Sequence, residues 1–251
     1  MYRSYVAIGD SFTEGMGDPG PDGVERGWAD LLALGIAEAQ DGRLDYANLA
    51  IRGRKLGPLL AEQLEPAIAM RPGLLSVNGG GNDIMRPRMS VATVSGMLRA
   101  AVERATGEGI PVLLLSGADP SEHLPLGGLM RRRGAELMDA ARAWAEDMPL
   151  VTLCDNFGDE RLRAADCWSA DGLHLGTRGH ARVAANCLRA LGLPSPGWLD
   201  ELAESDAPVA DYRSAAYYRE FVLPWVGRRL TGRSSGDGRV AKRPELAPVS
   251  A

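Results

Sequence analysis

Short apolar runs alternate with amphipathic stretches along most of the chain. Five runs, at residues 5–8, 44–49, 73–77, 112–115 and 150–154, are bounded by turn-forming residues and read as strands. Between them, residues 28–39, 56–70, 91–106 and 129–146 carry apolar side chains at three- and four-residue steps, as does 177–191 after the last run. Strands joined by helical crossovers run parallel, and such strands are buried on both faces. The pattern predicts a three-layer α/β/α sandwich with a five-stranded parallel sheet over residues 1–193.

The pattern changes at Pro194-Ser195-Pro196-Gly197, which punctuates the end of the sandwich. Residues 194–231 read as a helical extension. Its second helix, about 209–223, carries Tyr212, Tyr217, Tyr218, Phe221 and Val222, with Pro224 to break it and Trp225-Val226 to begin another turn. The aromatic positions are expected to pack back on the sandwich rather than to form a lid or partner surface. Residues 232–251, rich in Gly, Ser, Pro and Arg, read as a poorly ordered tail.

Composition narrows the function classes. The formal net charge of −5 gives no electrostatic case for binding nucleic acid or an anionic membrane. The basic run Arg131-Arg132-Arg133 reads as a solvated helix face. No apolar stretch is long enough to span a bilayer, and no basic start precedes an apolar run, so a cytoplasmic location is expected. Cys154, Cys167 and Cys187 form no CxxC pair, which argues against a disulfide framework or a zinc knuckle but leaves a Cys154–Cys167 bond open.

Chemistry-bearing residues gather where predicted strands end, the place where open α/β sheets bind ligands. The first strand runs into Gly9-Asp10-Ser11, which puts an exposed serine in a turn. A serine hydroxyl needs a neighbouring base, and the chain offers His123, His174 and His180. His174 stands in Asp171-Gly172-Leu173-His174, beyond the fifth strand. A carboxylate three residues before an imidazole can accept the Nδ1 proton and leave Nε2 to face the nucleophile. His180 falls inside a helix and reads as a surface or packing residue, and His123 lies in a loop where it either lines a pocket or is idle. Gly53 and Asn82, in turns after the second and third strands, are candidate oxyanion donors. The Gly79-Gly80-Gly81 turn lacks the Lys-Ser/Thr of a phosphate-binding loop. Gly232-Arg233-Ser234-Ser235-Gly236 fits G-x-S-x-G, but no histidine follows it, so that match is accidental.

Taken together, these blocks resemble the GDSL-type, or SGNH, hydrolases over roughly residues 5–193. Gly9-Asp10-Ser11 looks like the nucleophile block, although Phe12-Thr13 stands where the name-giving leucine often does. Gly53 matches the oxyanion glycine, Gly80-Gly81-Asn82-Asp83 the GxND block, and Asp171-Gly172-Leu173-His174 the DxxH block. The resemblance implies a flavodoxin-like sandwich and no metal or organic cofactor. It also implies a serine esterase in which Ser11, Asp171 and His174 form the catalytic triad, with the N–H groups of Ser11 and Gly53 and the Asn82 amide as the oxyanion hole.

The expected partner is a small-molecule ester. Asp10, Ile84, Met85 and Trp168 are candidates for the substrate pocket. The sequence shows no large apolar surface helix of the interfacial-lipase kind, which favours short-chain or soluble esters. An acyltransferase, a carbohydrate deacetylase or a thioesterase would use the same triad. A binding protein on an inactive hydrolase fold would be expected to lack part of it.

Overall fold

The computed structural model describes the chain except for residues 21–22, 41, 87, 125–126, 206–208, 213, 225–226, 228–233 and 250–251. The elements follow in the order β1 (Ser4–Ile8), α1 (Ser11–Glu14), α2 (Trp28–Glu38), β2 (Leu44–Asn48), α3 (Leu56–Ala69), β3 (Leu74–Val77), α4 (Gly81–Ile84), α5 (Val91–Thr106), β4 (Val112–Leu115), α6 (Gly127–Ala145), β5 (Val151–Cys154), α7 (Thr177–Ala190), α8 (Gly197–Glu204), α9 (Ala215–Tyr217) and β6 (Arg243–Val249). Among the described residues one sheet forms in the order β5-β4-β3-β1-β2-β6, with β1 to β5 mutually parallel.

The central strand shows why three layers form. Residues 5–8 are all fully buried, and they alternate between two cores. Tyr5 and Ala7 pack with Trp28, Leu32 and Ile36 of α2 and with Leu188 of α7. Val6 and Ile8 pack on the other face with Leu59 of α3, Val94 of α5 and Leu137 of α6. A strand apolar at every position therefore needs helices on both sides. Because the chain steps from β1 to β2 in one direction and then back to β3, the ends of β1 and β3 flank a topological switch point, where a crevice opens.

The sheet corrects the expectation of five strands. Residues 243–249, placed by composition in a poorly ordered tail, form a sixth strand antiparallel to β2, pairing Leu44 with Val249 and Tyr46 with Ala247. Little in Arg243-Pro244-Glu245-Leu246 announces a strand; the open edge of β2 recruits it. Pro244 and Pro248 suit an edge position, since each lacks a ladder donor. Just before β6, the largely buried Lys242 ammonium donates to the carbonyls of Glu14, Glu25 and Arg26 at 2.6, 3.0 and 2.6 Å and pairs with Asp30 at 2.5 Å. This fastens the C-terminal segment under the turn that carries Ser11.

The expected helix over 209–223 starts later. Ser214 caps it by accepting the Tyr217 N–H at 3.1 Å, and α9 runs on into a π-helical turn at Tyr218–Val222. Trp225 and Val226 lie outside the described residues. All three cysteines are free and buried, and the sulfur nearest Cys154 is that of Cys187, at 3.8 Å. Arg131 of the basic run reaches the buried Asp119 at 3.2 Å, and Arg132 is exposed. Among the described residues no helix is long and apolar enough to cross a membrane.

Candidate active site

The turn leaving β1 delivers Ser11 to the first position of α1. Asp10 caps that helix, its Oδ1 accepting the Phe12 N–H at 3.2 Å. Gly9 is needed for close packing, since a Cβ there would sit 2.2 Å from Thr13 Oγ1. Behind the turn, the buried Gln63 of α3 clamps Gly9 by accepting its N–H at 2.8 Å and donating to its carbonyl at 3.0 Å.

His174 arrives on the loop between β5 and α7. Its Nδ1 lies 2.5 Å from Asp171 Oδ2. The other carboxylate oxygen accepts the N–H groups of Leu173 and His174, each at 2.9 Å, and the Ser169 hydroxyl at 2.8 Å. Burial works against ionisation of Asp171. The hydrogen bond and charge of His174, with the two backbone N–H groups, outweigh it and hold the carboxyl well below the usual carboxylate range. An ionised Asp171 makes Nδ1 the protonated ring nitrogen, so Nε2 is left as an acceptor. Two tyrosines from the C-terminal extension brace this loop: Tyr217 donates to the Asp171 carbonyl at 3.0 Å and Tyr212 to the Ser169 carbonyl at 3.1 Å. The aromatic segment thus packs back on the sandwich against the loop that carries Asp171 and His174.

Asn82 stands on α4, at the end of β3. Its Nδ2 donates to Asp10 Oδ2 at 3.0 Å and to the Arg54 carbonyl at 3.1 Å, so it ties the Ser11 turn to the loop that carries Gly53. Gly53 has φ of +72°, a left-handed conformation that favours glycine. The same loop is fastened to α1 through Glu14, which accepts the Arg52 N–H at 2.6 Å and its guanidinium at 2.8 and 2.5 Å. Ser234 closes it from outside by donating to the Gly53 carbonyl at 3.2 Å. Burial raises the Asp10 carboxyl to about 6; the Phe12 N–H and the His174 charge oppose this, Asp83 adds to it, and the Asn82 amide opposes it.

A cavity of about 170 Å³ opens at these groups. Ser11, His174 and Asn82 line it, and so do the four expected pocket residues Asp10, Ile84, Met85 and Trp168. Gly53 is not on its wall and lies in the adjoining loop. The other histidines serve packing. His180 is fully buried; its Nδ1 accepts the Trp28 N–H and its Nε2–H donates to the Met16 carbonyl, both at 3.1 Å. Burial, opposed chiefly by the charge of Asp18, lowers it to about 4, so it is neutral. His123 Nε2 meets the Arg163 carbonyl at 2.9 Å, and its ring packs on Trp168 and Tyr212.

Sequence reasoning missed Gln63 and Glu14. A signal for Gln63 existed: it follows Leu56 and Leu59 and precedes Ala67 on the buried stripe of α3, where a polar side chain needs a reason.

The profile of the GDSL-like Lipase/Acylhydrolase family matches residues 7–182. A search of curated proteins gave no match. Among solved structures, the lipase Lip_vut3 from a goat rumen metagenome aligns with a TM-score of 0.64 at 18% identity, over 74% of this chain and 96% of that one. An acetylxylan esterase from Geobacillus stearothermophilus, in a catalytic mutant form, gives 0.64 at 17%, over 76% and 95%. The lipase/acylhydrolase from Enterococcus faecalis gives 0.62 at 22%, over 77% and 98%. These likenesses carry the fold.

Proposed function

This chain belongs to the GDSL-like lipase/acylhydrolase family and is a carboxylic ester hydrolase; from that premise we propose that Ser11, His174 and Asp171 do the chemistry through an acyl-enzyme. The observation that carries the proposal is that Ser11 and His174 share one cavity while Asp171 holds His174 Nδ1 at 2.5 Å.

In this reaction His174 Nε2 takes the Ser11 hydroxyl proton as Oγ attacks the ester carbonyl. Asp171 keeps the ring in the required tautomer and stabilises the imidazolium that forms. The tetrahedral oxyanion is met by the Ser11 N–H and the Asn82 amide, whose residues line the cavity. Both hydrogens of that amide are engaged in the resting site, so the oxyanion shares one of them in a three-centre bond. The imidazolium then protonates the leaving alcohol. Water, deprotonated by His174, releases the acid and restores Ser11. An alcohol acceptor in place of water, or an acetylated sugar or a thioester as substrate, would use the same three residues.

Two measurements test this. A fluorophosphonate should label the wild-type protein and leave Ser11→Ala unlabelled, and the variant should lose nearly all turnover of p-nitrophenyl acetate. Wild-type turnover in Ser11→Ala would end the proposal.

A further inference from the structure

The cavity does not stop at the nucleophile. It continues between α6 and the sheet, where Met130, Leu137, Met138 and Ala141 face Leu114 of β4 and Leu153 of β5. Met130 and Ala141 stand eleven residues apart on α6, so at about 1.5 Å per residue the lined stretch follows the helix for roughly 16 Å.

Polarity is confined to the mouth. Beyond Ser11, Asn82 and His174, the polar side chains on the wall are Asp10, Asn78 and Ser116, each already bonded to the protein. Asn78 Nδ2 donates to the Leu115 carbonyl at 3.0 Å, and the Ser116 hydroxyl accepts the N–H groups of Asn156 and Phe157 at 2.9 and 2.8 Å. The inner end therefore offers water few partners and suits an apolar chain.

Resting on the triad assignment above, we propose that this channel receives the acyl chain of the substrate, and that the enzyme prefers esters of linear acids longer than acetate. The acyl carbonyl sits at Ser11, its chain runs inward beneath α6, and the alcohol faces the opening. The expectation of a short acyl group came from the lack of an apolar surface helix. An interior channel leaves no such mark, because Leu114, Leu137, Met138 and Ala141 are buried like ordinary core residues.

The test is kcat/KM for p-nitrophenyl esters from acetate to laurate, with wild type, Ser11→Ala, Ala141→Phe and Met138→Ala. Wild-type kcat/KM should rise roughly threefold to fourfold per added methylene until the channel is full, then fall. Ala141→Phe, which fills the inner end, should lower the octanoate-to-acetate ratio about tenfold or more. Met138→Ala, which widens it, should raise the laurate-to-octanoate ratio. Ser11-dependent hydrolysis that peaks at acetate, or ratios that neither channel variant moves, would overturn the channel and leave the triad standing. Wild-type rates in Ser11→Ala would overturn the triad instead.

Discussion

Asp171 Oδ2 approaches His174 Nδ1 to 2.5 Å while Oδ1 of the same carboxylate is filled by two backbone N–H groups and a hydroxyl. Both oxygens must accept. An amide at this position has only one oxygen, so Asp171→Asn either loses the loop contacts or presents an NH₂ group to Nδ1 and forces the wrong tautomer. We expect kcat to fall by about 10³–10⁴, with the protein still folded by circular dichroism. Steady-state kinetics on an activated ester checks it, and a loss under tenfold would remove Asp171 from the orienting role.

Asn82 is expected to act mainly in the transition state. Asn82→Ala should lower kcat by about 10²–10³ and leave KM nearly unchanged. A change confined to KM would assign the amide to substrate binding.

Two buried groups give stability opposite pH slopes. Asp10 is raised from 3.8 to about 6, so the folded state holds its proton more tightly than the unfolded chain does. That contribution is lost as pH rises from 3.8 to 6, by about 3 kcal/mol. His180 is lowered from 6.5 to about 4, so the folded state resists its protonation. That contribution is lost as pH falls from 6.5 to 4, again by about 3 kcal/mol. Measured by urea unfolding and referred to wild type at each pH, Asp10→Asn should gain stability between pH 4 and 7. His180→Gln should lose it over the same range. Parallel curves would refute both assignments.

Lys242 offers a test of the C-terminal tether. Lys242→Met leaves the mostly buried Asp30 carboxylate without its cation and three carbonyls without their donor. A loss of about 3–5 kcal/mol is expected. Adding Asp30→Asn should recover part of it, because the stranded charge goes with it. Urea titrations of the single and double variants decide, and a double variant no more stable than Lys242→Met would exclude an electrostatic origin.

How much of this was legible in the sequence depended on whether a residue's task is local. The strand at residues 112–115 and the helix at 91–106 were read to the residue, because apolar periodicity is set by the element's own neighbours. The DxxH spacing was legible because Asp171 and His174 meet within one turn. Strand β6 was not, since its partner is the edge of β2 and its prolines imitate a linker. The Glu14–Arg52 clamp and the Ser234 contact on Gly53 join segments remote in the chain, and no local pattern encodes them. The inner channel was hidden for another reason: a void lined by leucine, methionine and alanine has the same composition as a filled core.

The match to the family profile ends at residue 182, before the last strand begins. Removing only residues 243–251 would preserve every residue assigned to catalysis and yet bare the hydrogen-bonding rim of β2. Such a rim is a template for strands of other molecules. Inactivity of the trimmed protein would then report intermolecular association into aggregates, to be checked by light scattering before any defect in the chemistry is inferred.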